Sequence, residues 1–188
     1  EDQLCGYQYR ISSSSFYQIN HVQCEALYEK ALSLLDLQGN ERLLDAYCGI
    51  GTIGMSATPS VKQVIGVESN AQAVRDAIDN AKRNHVSHIR FVCADAGKFM
   101  VREAMNRKHY DVLVMDPPRS GSTKEFIDAC AELAPKKIVY ISCDPKTQIR
   151  DLLYFKKLGY VGKEMFLVDM FPHTMHVESV VLMSRVKN

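Results

Sequence analysis

Two side chains late in this sequence have the types needed for covalent chemistry. Cys143 follows the apolar run Ile138-Val139-Tyr140-Ile141 and Ser142, and precedes Asp144-Pro145. It should therefore emerge at the mouth of a cleft rather than inside a core. A thiol there can act as a nucleophile, but only about a few per cent is thiolate near neutral pH. A site must enlarge that fraction or remove the proton during attack. Glu178, within His173-Thr174-Met175-His176-Val177-Glu178-Ser179, reads as a carboxylate base, with an outward-facing strand residue as the plainer alternative. His173 and His176 have no third ligand at a sensible spacing, so no metal is expected. Cys24, Cys93 and Cys130 read as small buried hydrophobes.

A second set of residues has the makings of a binding site. Arg42 to Gly54 reads as a short buried strand that breaks into a glycine-rich turn and opens a helix, with Gly49, Gly51 and Gly54 in G-x-G-x-x-G spacing. Such glycines let backbone approach a ligand and let the helix pack tightly on the sheet. Val64 to Val67 is another apolar strand, and it ends in Glu68, placed to accept the hydroxyls of a ribose. Asp45 puts an anion where a pyrophosphate would be repelled and an amino-acid ammonium welcomed, which favours S-adenosylmethionine over NAD. Asp116-Pro117-Pro118-Arg119 also follows an apolar strand. It resembles the Asn-Pro-Pro-aromatic motif that holds a base amine in amino-methyltransferases, with Asp for Asn and Arg for the aromatic. An exocyclic amine substrate therefore fits less well, and a diproline is also ordinary loop punctuation.

The elements that must position these residues follow from periodicity. Tyr7 to Ile11 reads as a short strand and Ser12 to Ser15 as a polar break, whereas Glu1 to Leu4 shows no structure of its own. Val22, Ala26, Leu27, Ala31, Leu34 and Leu35 recur at helical spacing until Gly39. After the strand ending at Glu68, Asn70 caps a helix with Ala73, Val74, Ala77, Ile78 and Ala81 on one side. Ile89 to Cys93 is a strand, and Asp95 either caps the next helix, Ala96 to Met105, or lies near an adenine. Asp111 to Met115 and Lys137 to Ile141 are fully apolar strands separated by a helix over Ser122 to Leu133. A helix over Pro145 to Leu158 and two strands, Val161 to Val168 and Val177 to Ser184, finish the chain. Five strands alternating with helices, then a hairpin-like end, predict a doubly wound α/β sheet of seven strands, mostly parallel, with an antiparallel strand near one edge. Asp45, Glu68, Asp95, Asp116 and Cys143 then gather at the carboxyl ends of successive strands, where such sheets bind ligands.

With 188 residues and 46% hydrophobic content the chain reads as one domain. Its 23 Lys and Arg against 22 Asp and Glu give a net charge of +1, without the footprint of a dedicated nucleic-acid binder. Six cysteines with no C-x-x-C pair, and no signal or membrane-spanning run, predict reduced thiols in the cytoplasm. The sequence starts at Glu1, so it is expected to be a piece of a longer protein.

These residues resemble the S-adenosylmethionine-dependent RNA (uracil-5-)-methyltransferases, which modify uridine in ribosomal or transfer RNA. The resemblance covers nearly the whole chain. It is carried by Ser15-Phe16-Tyr17-Gln18-Ile19-Asn20, Asp45 to Thr52, Asp116-Pro117-Pro118-Arg119, Ser142-Cys143-Asp144-Pro145 and Phe171 to Glu178. It implies a Rossmann-like class I methyltransferase catalytic domain over 1–188, the C-terminal part of the whole protein. It implies Gln18, Tyr47, Glu68 and Asp116 at the methyl-donor site, beside the turn glycines Gly49 and Gly51 and, on the adenine reading, Asp95, with Asp116 instead or also on the uracil edge. It implies Cys143 as nucleophile and Glu178 as the base, with 23S ribosomal RNA a better expectation than transfer RNA. Members commonly carry an N-terminal RNA-binding domain and often a four-cysteine iron-sulfur cluster. Cys5 alone cannot supply the cluster, so this chain is expected to bind donor while gripping RNA poorly by itself. The rival readings are an NAD-dependent oxidoreductase, a non-catalytic donor-binding module, and a cytosine C5 methyltransferase, whose cysteine would sit where Asp116-Pro117-Pro118 stands.

Overall fold

The structure is a computed structural model describing residues 1–12, 17–18 and 20–186. Ser15, Phe16 and Ile19 of the motif quoted above, and most of the predicted polar break, lie outside the described residues. The elements are β1 (Asp2–Leu4), β2 (Tyr7–Tyr9), α1 (His21–Leu35), β3 (Arg42–Ala46), α2 (Thr52–Ala57), β4 (Gln63–Glu68), α3 (Ala71–Arg83), β5 (Ile89–Cys93), α4 (Ala96–Met105), β6 (Val112–Met115), α5 (Lys124–Leu133), β7 (Lys137–Ser142), α6 (Pro145–Lys157), β8 (Tyr160–Val168) and β9 (Glu178–Arg185).

The seven-stranded sheet has the order β5-β4-β3-β6-β7-β9-β8. Strands β3 to β7 pair in parallel, and β9 runs antiparallel to both neighbours, so the expected antiparallel strand lies one place in from the edge. Alternation along β3 sends Leu43 to one face and Leu44 to the other. Leu43 joins a core with Leu27, Ala31, Ile53 and Ala73 of α1 to α3. Leu44 joins one with Phe99, Phe126 and Phe155 of α4 to α6. Each buried Leu, Ile or Phe among them contributes roughly 1.5–3 kcal/mol. The chain leaves β3 toward β4 on one side and places β6 on the other, so the turn after β3 and the Asp116 loop after β6 face each other at the topological switch point.

Four expectations need correcting. Asp2–Leu4 is a strand after all, because Cys5 and Gly6 both take positive φ, 49° and 79°, and close a two-residue hairpin onto Tyr7–Tyr9. The strand predicted to Ile11 stops at Tyr9. Val22 is 75% exposed, and α1 buries Cys24 and Tyr28 instead. On α3, Ile78 faces outward while Asp76 and Asn80 are buried, because α3 holds the hairpin through side chains. Asn80 Oδ1 accepts from Arg10 N–H at 2.8 Å and its Nδ2 donates to Arg10 O at 3.1 Å; Asn84 does the same with Gln8 at 2.9 and 2.7 Å. Asp76 accepts from Ser12 N–H at 3.2 Å. Four helical residues rise about 6.0 Å and two strand residues about 6.6 Å, so the two registers match. The segment carrying Gln18 is thus tied to α3 at Ser12 and to α1 through the Asn20 cap, whose Nδ2 also donates to Met170 O at 3.1 Å.

Candidate active site

The glycine turn is held in shape by two carboxylates. Glu68, at the end of β4, accepts from Gly49 N–H at 3.1 Å and from Asn70 N–H at 2.7 Å. Asp45 does not stand at the lip with Glu68 as expected. It is fully buried beneath the turn, its Oδ2 accepting from Gly54 N–H at 2.8 Å while Oδ1 has no hydrogen-bond partner among the described residues. Gly49 and Gly51 take φ of 54° and 85°, and a Cβ on Gly51 would lie 2.6 Å from the Phe91 ring, so this turn requires glycine. Tyr47 also takes a positive φ of 65° and anchors its hydroxyl on Ser122 Oγ at 3.0 Å.

Gln18, Tyr47, Gly49 and Asp116 line one small cleft of about 50 Å³, together with Tyr17, Tyr28 and Thr52. The structure thus brings together the early motif, the glycine turn and the Asp116 loop. Glu68 and Asp95 lie outside it, at neighbouring strand ends. Asp95 caps α4, accepting from Lys98 N–H at 2.9 Å with Oδ1, which settles its local role and leaves its second oxygen on an exposed residue. A wider concavity of about 860 Å³, edged by Lys136, Lys157 and Arg185, opens at the amino ends of the strands, away from all of these residues.

Cys143 and Glu178 come from segments far apart in sequence, and sheet pairing makes them neighbours. Ser142 and Ser179 are the last register partners of the β7–β9 ladder, so Cys143 and Glu178 occupy the next rung, where antiparallel partners project to the same face. Gln148, fully buried on α6, secures this corner. Its Nε2 donates to Tyr140 O at 3.0 Å, and its Oε1 accepts from Ser179 Oγ at 2.7 Å. Cys143 is half-buried and Glu178 only 4% exposed, so Glu178 is not the outward strand residue of the plainer reading.

The electrostatics suit a thiol that ionises only when used. Burial pushes the Cys143 thiol up, Glu178 and Asp116 push the same way, and a hydrogen bond from Arg119 opposes them. Burial also raises Glu178, again against Arg119. Arg119 therefore faces both groups, and it donates to His176 Nδ1 at 3.2 Å. Among the described residues no three His, Cys, Asp or Glu side chains are arranged to hold a metal ion. Asp116 is pushed up to about 8 by burial and by the carboxylates of Glu178 and Asp45. Asp45 is pushed up to about 7, burial outweighing its bond from Gly54.

Those two carboxyls set a pH dependence. Unfolded, both ionise near 3.8, whereas folded they keep their protons to about 7 and about 8. Across that window the folded state binds more protons, so their contribution to stability falls as pH rises from about 4 and levels off above about 8. With no donor present, thermal unfolding should occur at lower temperature at pH 8.5 than at pH 5.5. Asp45→Asn should restore on the order of a few kcal/mol at the higher pH. A midpoint that does not move between these pH values would contradict two neutral buried carboxyls.

Gln148, Asp151 and Ser122 carry no signal in the sequence that marks them for this site. Asp151, 2% exposed, accepts from Ser122 N–H at 2.7 Å and from Tyr140 hydroxyl at 2.8 Å, tying the Asp116 loop to β7. Arg119, which closes the Asp116 motif and reads from sequence as a residue that pairs with phosphate or orients its neighbours, faces Cys143 and Glu178. Cys24 and Cys130 are buried as expected, but Cys93 is exposed because β5 is the edge strand.

Comparison with known proteins follows the same lines. A family described as tRNA (Uracil-5-)-methyltransferase matches residues 3–186. An uncharacterized RNA methyltransferase of Lactobacillus johnsonii is 46% identical over 99% of this chain and 41% of its own length, and one of Streptococcus mutans is 44% identical over 97% and 41%. The chain thus spans less than half the length of these relatives. The crystal structure of Pyrococcus abyssi tRNA (uracil-54, C5)-methyltransferase in complex with S-adenosyl-L-homocysteine superposes with a TM-score of 0.84 at 34% identity, covering 97% of this chain and 43% of that one.

Proposed function

Because the chain belongs to the tRNA (uracil-5-)-methyltransferase family, we propose that it methylates C5 of a uridine in RNA through a covalent bond between Cys143 and C6. The observation that carries this reading is the placement of Cys143 and Glu178 one rung beyond the β7–β9 ladder, with Asp116 coupling them to the glycine-turn pocket.

S-adenosylmethionine fits the residues present. Gln18, Tyr47, Gly49 and Asp116 line one space beside the glycine turn, nothing lies within 4 Å of where a side chain on Gly49 would begin, which leaves its backbone open to a ligand, and the P. abyssi relative holds the demethylated donor. When bound, it supplies an electrophilic methyl group on sulfur. Gln18, Tyr47, Gly49, Gly51, Glu68, Asp95 and Asp116 are the residues we assign to hold it, with Glu68 taking ribose hydroxyls.

Uracil C5 is too weakly nucleophilic to accept a methyl group unaided. Cys143 gives up its proton to solvent at this half-exposed rim, beside the Arg119 guanidinium, and its thiolate adds to C6. The electron pair of the C5–C6 double bond moves toward C5 and O4. Asp116, held neutral, can donate a hydrogen bond to the uracil edge as that charge grows. C5 takes the methyl group as the sulfur–methyl bond breaks. Glu178 then removes the C5 proton, the double bond re-forms and the Cys143 sulfur leaves. The uridine must first swing out of its stack, at a cost of about a few kcal/mol.

We put 23S ribosomal RNA first as substrate, with transfer RNA second on the strength of the P. abyssi neighbour. Two experiments test the reading. Mapping of 5-methyluridine in both RNAs from cells lacking the protein should show a lost site, and two unchanged maps would refute it. Calorimetric titration should give binding of S-adenosylhomocysteine and none of NAD; the reverse would favour an oxidoreductase. No helix among the described residues is long and apolar enough to cross a membrane, and six free cysteines suit a reducing cytoplasm. We assign the further grip on RNA to the portion of the longer relatives that this chain does not span.

A further inference from the structure

A groove of about 590 Å³ runs between α5 and α6, walled by the loop that follows Arg119 and by Lys124, Arg150, Leu153, Tyr154 and Lys157. We propose that it carries the RNA strand flanking the target uridine, an inference that rests on RNA being the substrate. Three observations support it. The first is charge. Outward-facing α6 carries Lys146, Arg150, Lys156 and Lys157, and its one acid, Asp151, is buried and bonded to Ser122, Tyr140 and Arg150. A chain of net charge +1 has thus gathered cations on one helix.

The second is shape. Lys146, Arg150 and Lys157 sit one and two turns apart on one stripe, a line of roughly 16 Å from first to last. A small anion wants donors that converge on one point; cations strung along a line suit the successive phosphates of a polymer. Between them Tyr154 is half-exposed, its hydroxyl held by Asp128 at 2.6 Å and its ring 5.5 Å from Lys124 Nζ. A fixed ring among cations is a stacking platform for a base. The third is continuity. α6 begins two residues after Cys143, and Arg150 donates to Ser120 O at 2.9 Å, so one wall of the groove is the back of the loop that presents Arg119. A strand leaving the catalytic lip meets this surface next.

The test uses the full-length protein and a short fluorescent oligouridylate, titrated over a range of salt. Lys124→Ala with Lys157→Ala should lower the slope of log K against log salt by about 0.7 for each lysine, and Tyr154→Ala should weaken binding about fivefold or more. Affinity for S-adenosylhomocysteine should stay at the wild-type value in each variant, which separates this role from a general loss of fold. If wild-type protein forms a covalent adduct with 5-fluorouridine RNA while the variants keep the wild-type slope and affinity, the groove assignment falls and the methyltransferase reading stands. If wild-type protein shows neither the adduct nor salt-dependent affinity for oligouridylate, both fall.

Discussion

Glu178→Gln in the full-length protein is expected to stop turnover after methyl transfer, leaving RNA attached to Cys143. Gln keeps the size and hydrogen-bonding reach of Glu but cannot take a proton at neutral pH. Cys143 and the methyl group can still add, whereas loss of the C5 proton slows by roughly 10²–10⁴-fold, the usual share of a positioned base. The adduct should therefore accumulate with ordinary uridine RNA and donor, and survive denaturing electrophoresis. The observation behind this is a carboxyl only 4% exposed at the start of β9, close enough to Cys143 to push its thiol up. Full turnover without adduct would remove Glu178 from the chemistry.

Cys143→Ala should have the complementary effect. No sulfur remains to add to C6, so activity should fall by at least ~10⁴-fold, the scale seen when a nucleophile is deleted, and trapping by 5-fluorouridine RNA should vanish. Stability should change by no more than about 0.5 kcal/mol, because the side chain is half-buried at a rim and fills no core. The other thiol near the glycine turn, Cys48, is a built-in control: it is 5% exposed and burial holds its thiol well above the ordinary value. Peptide mapping that places the wild-type adduct on Cys48, or an adduct that survives Cys143→Ala, would overturn the assignment.

The two variants also separate roles that share one corner. Gln148 and Ser179 brace both residues, so damage to the brace would depress addition and elimination together. Only loss of the base leaves an adduct, and only loss of the thiol abolishes trapping.

Local chemistry made much of this protein legible in one dimension. Apolar runs of strand length, caps at Asn70 and Asp95, and glycines that must take positive φ act over a few residues, so seven strands, their helices and the glycine turn could be read directly. Cys143 could be singled out because it follows such a run. Pairing and desolvation act between distant segments, and these were decided only by tertiary structure. It inserted β9 between β7 and β8, which set Glu178 beside Cys143. It turned Asp45 under the turn, where burial rather than a ligand governs its proton. It also recruited Asn80 and Asn84 to hold a hairpin that residues 1–4 do not announce, because a side-chain amide can replace a strand partner only when helix and strand lie in register.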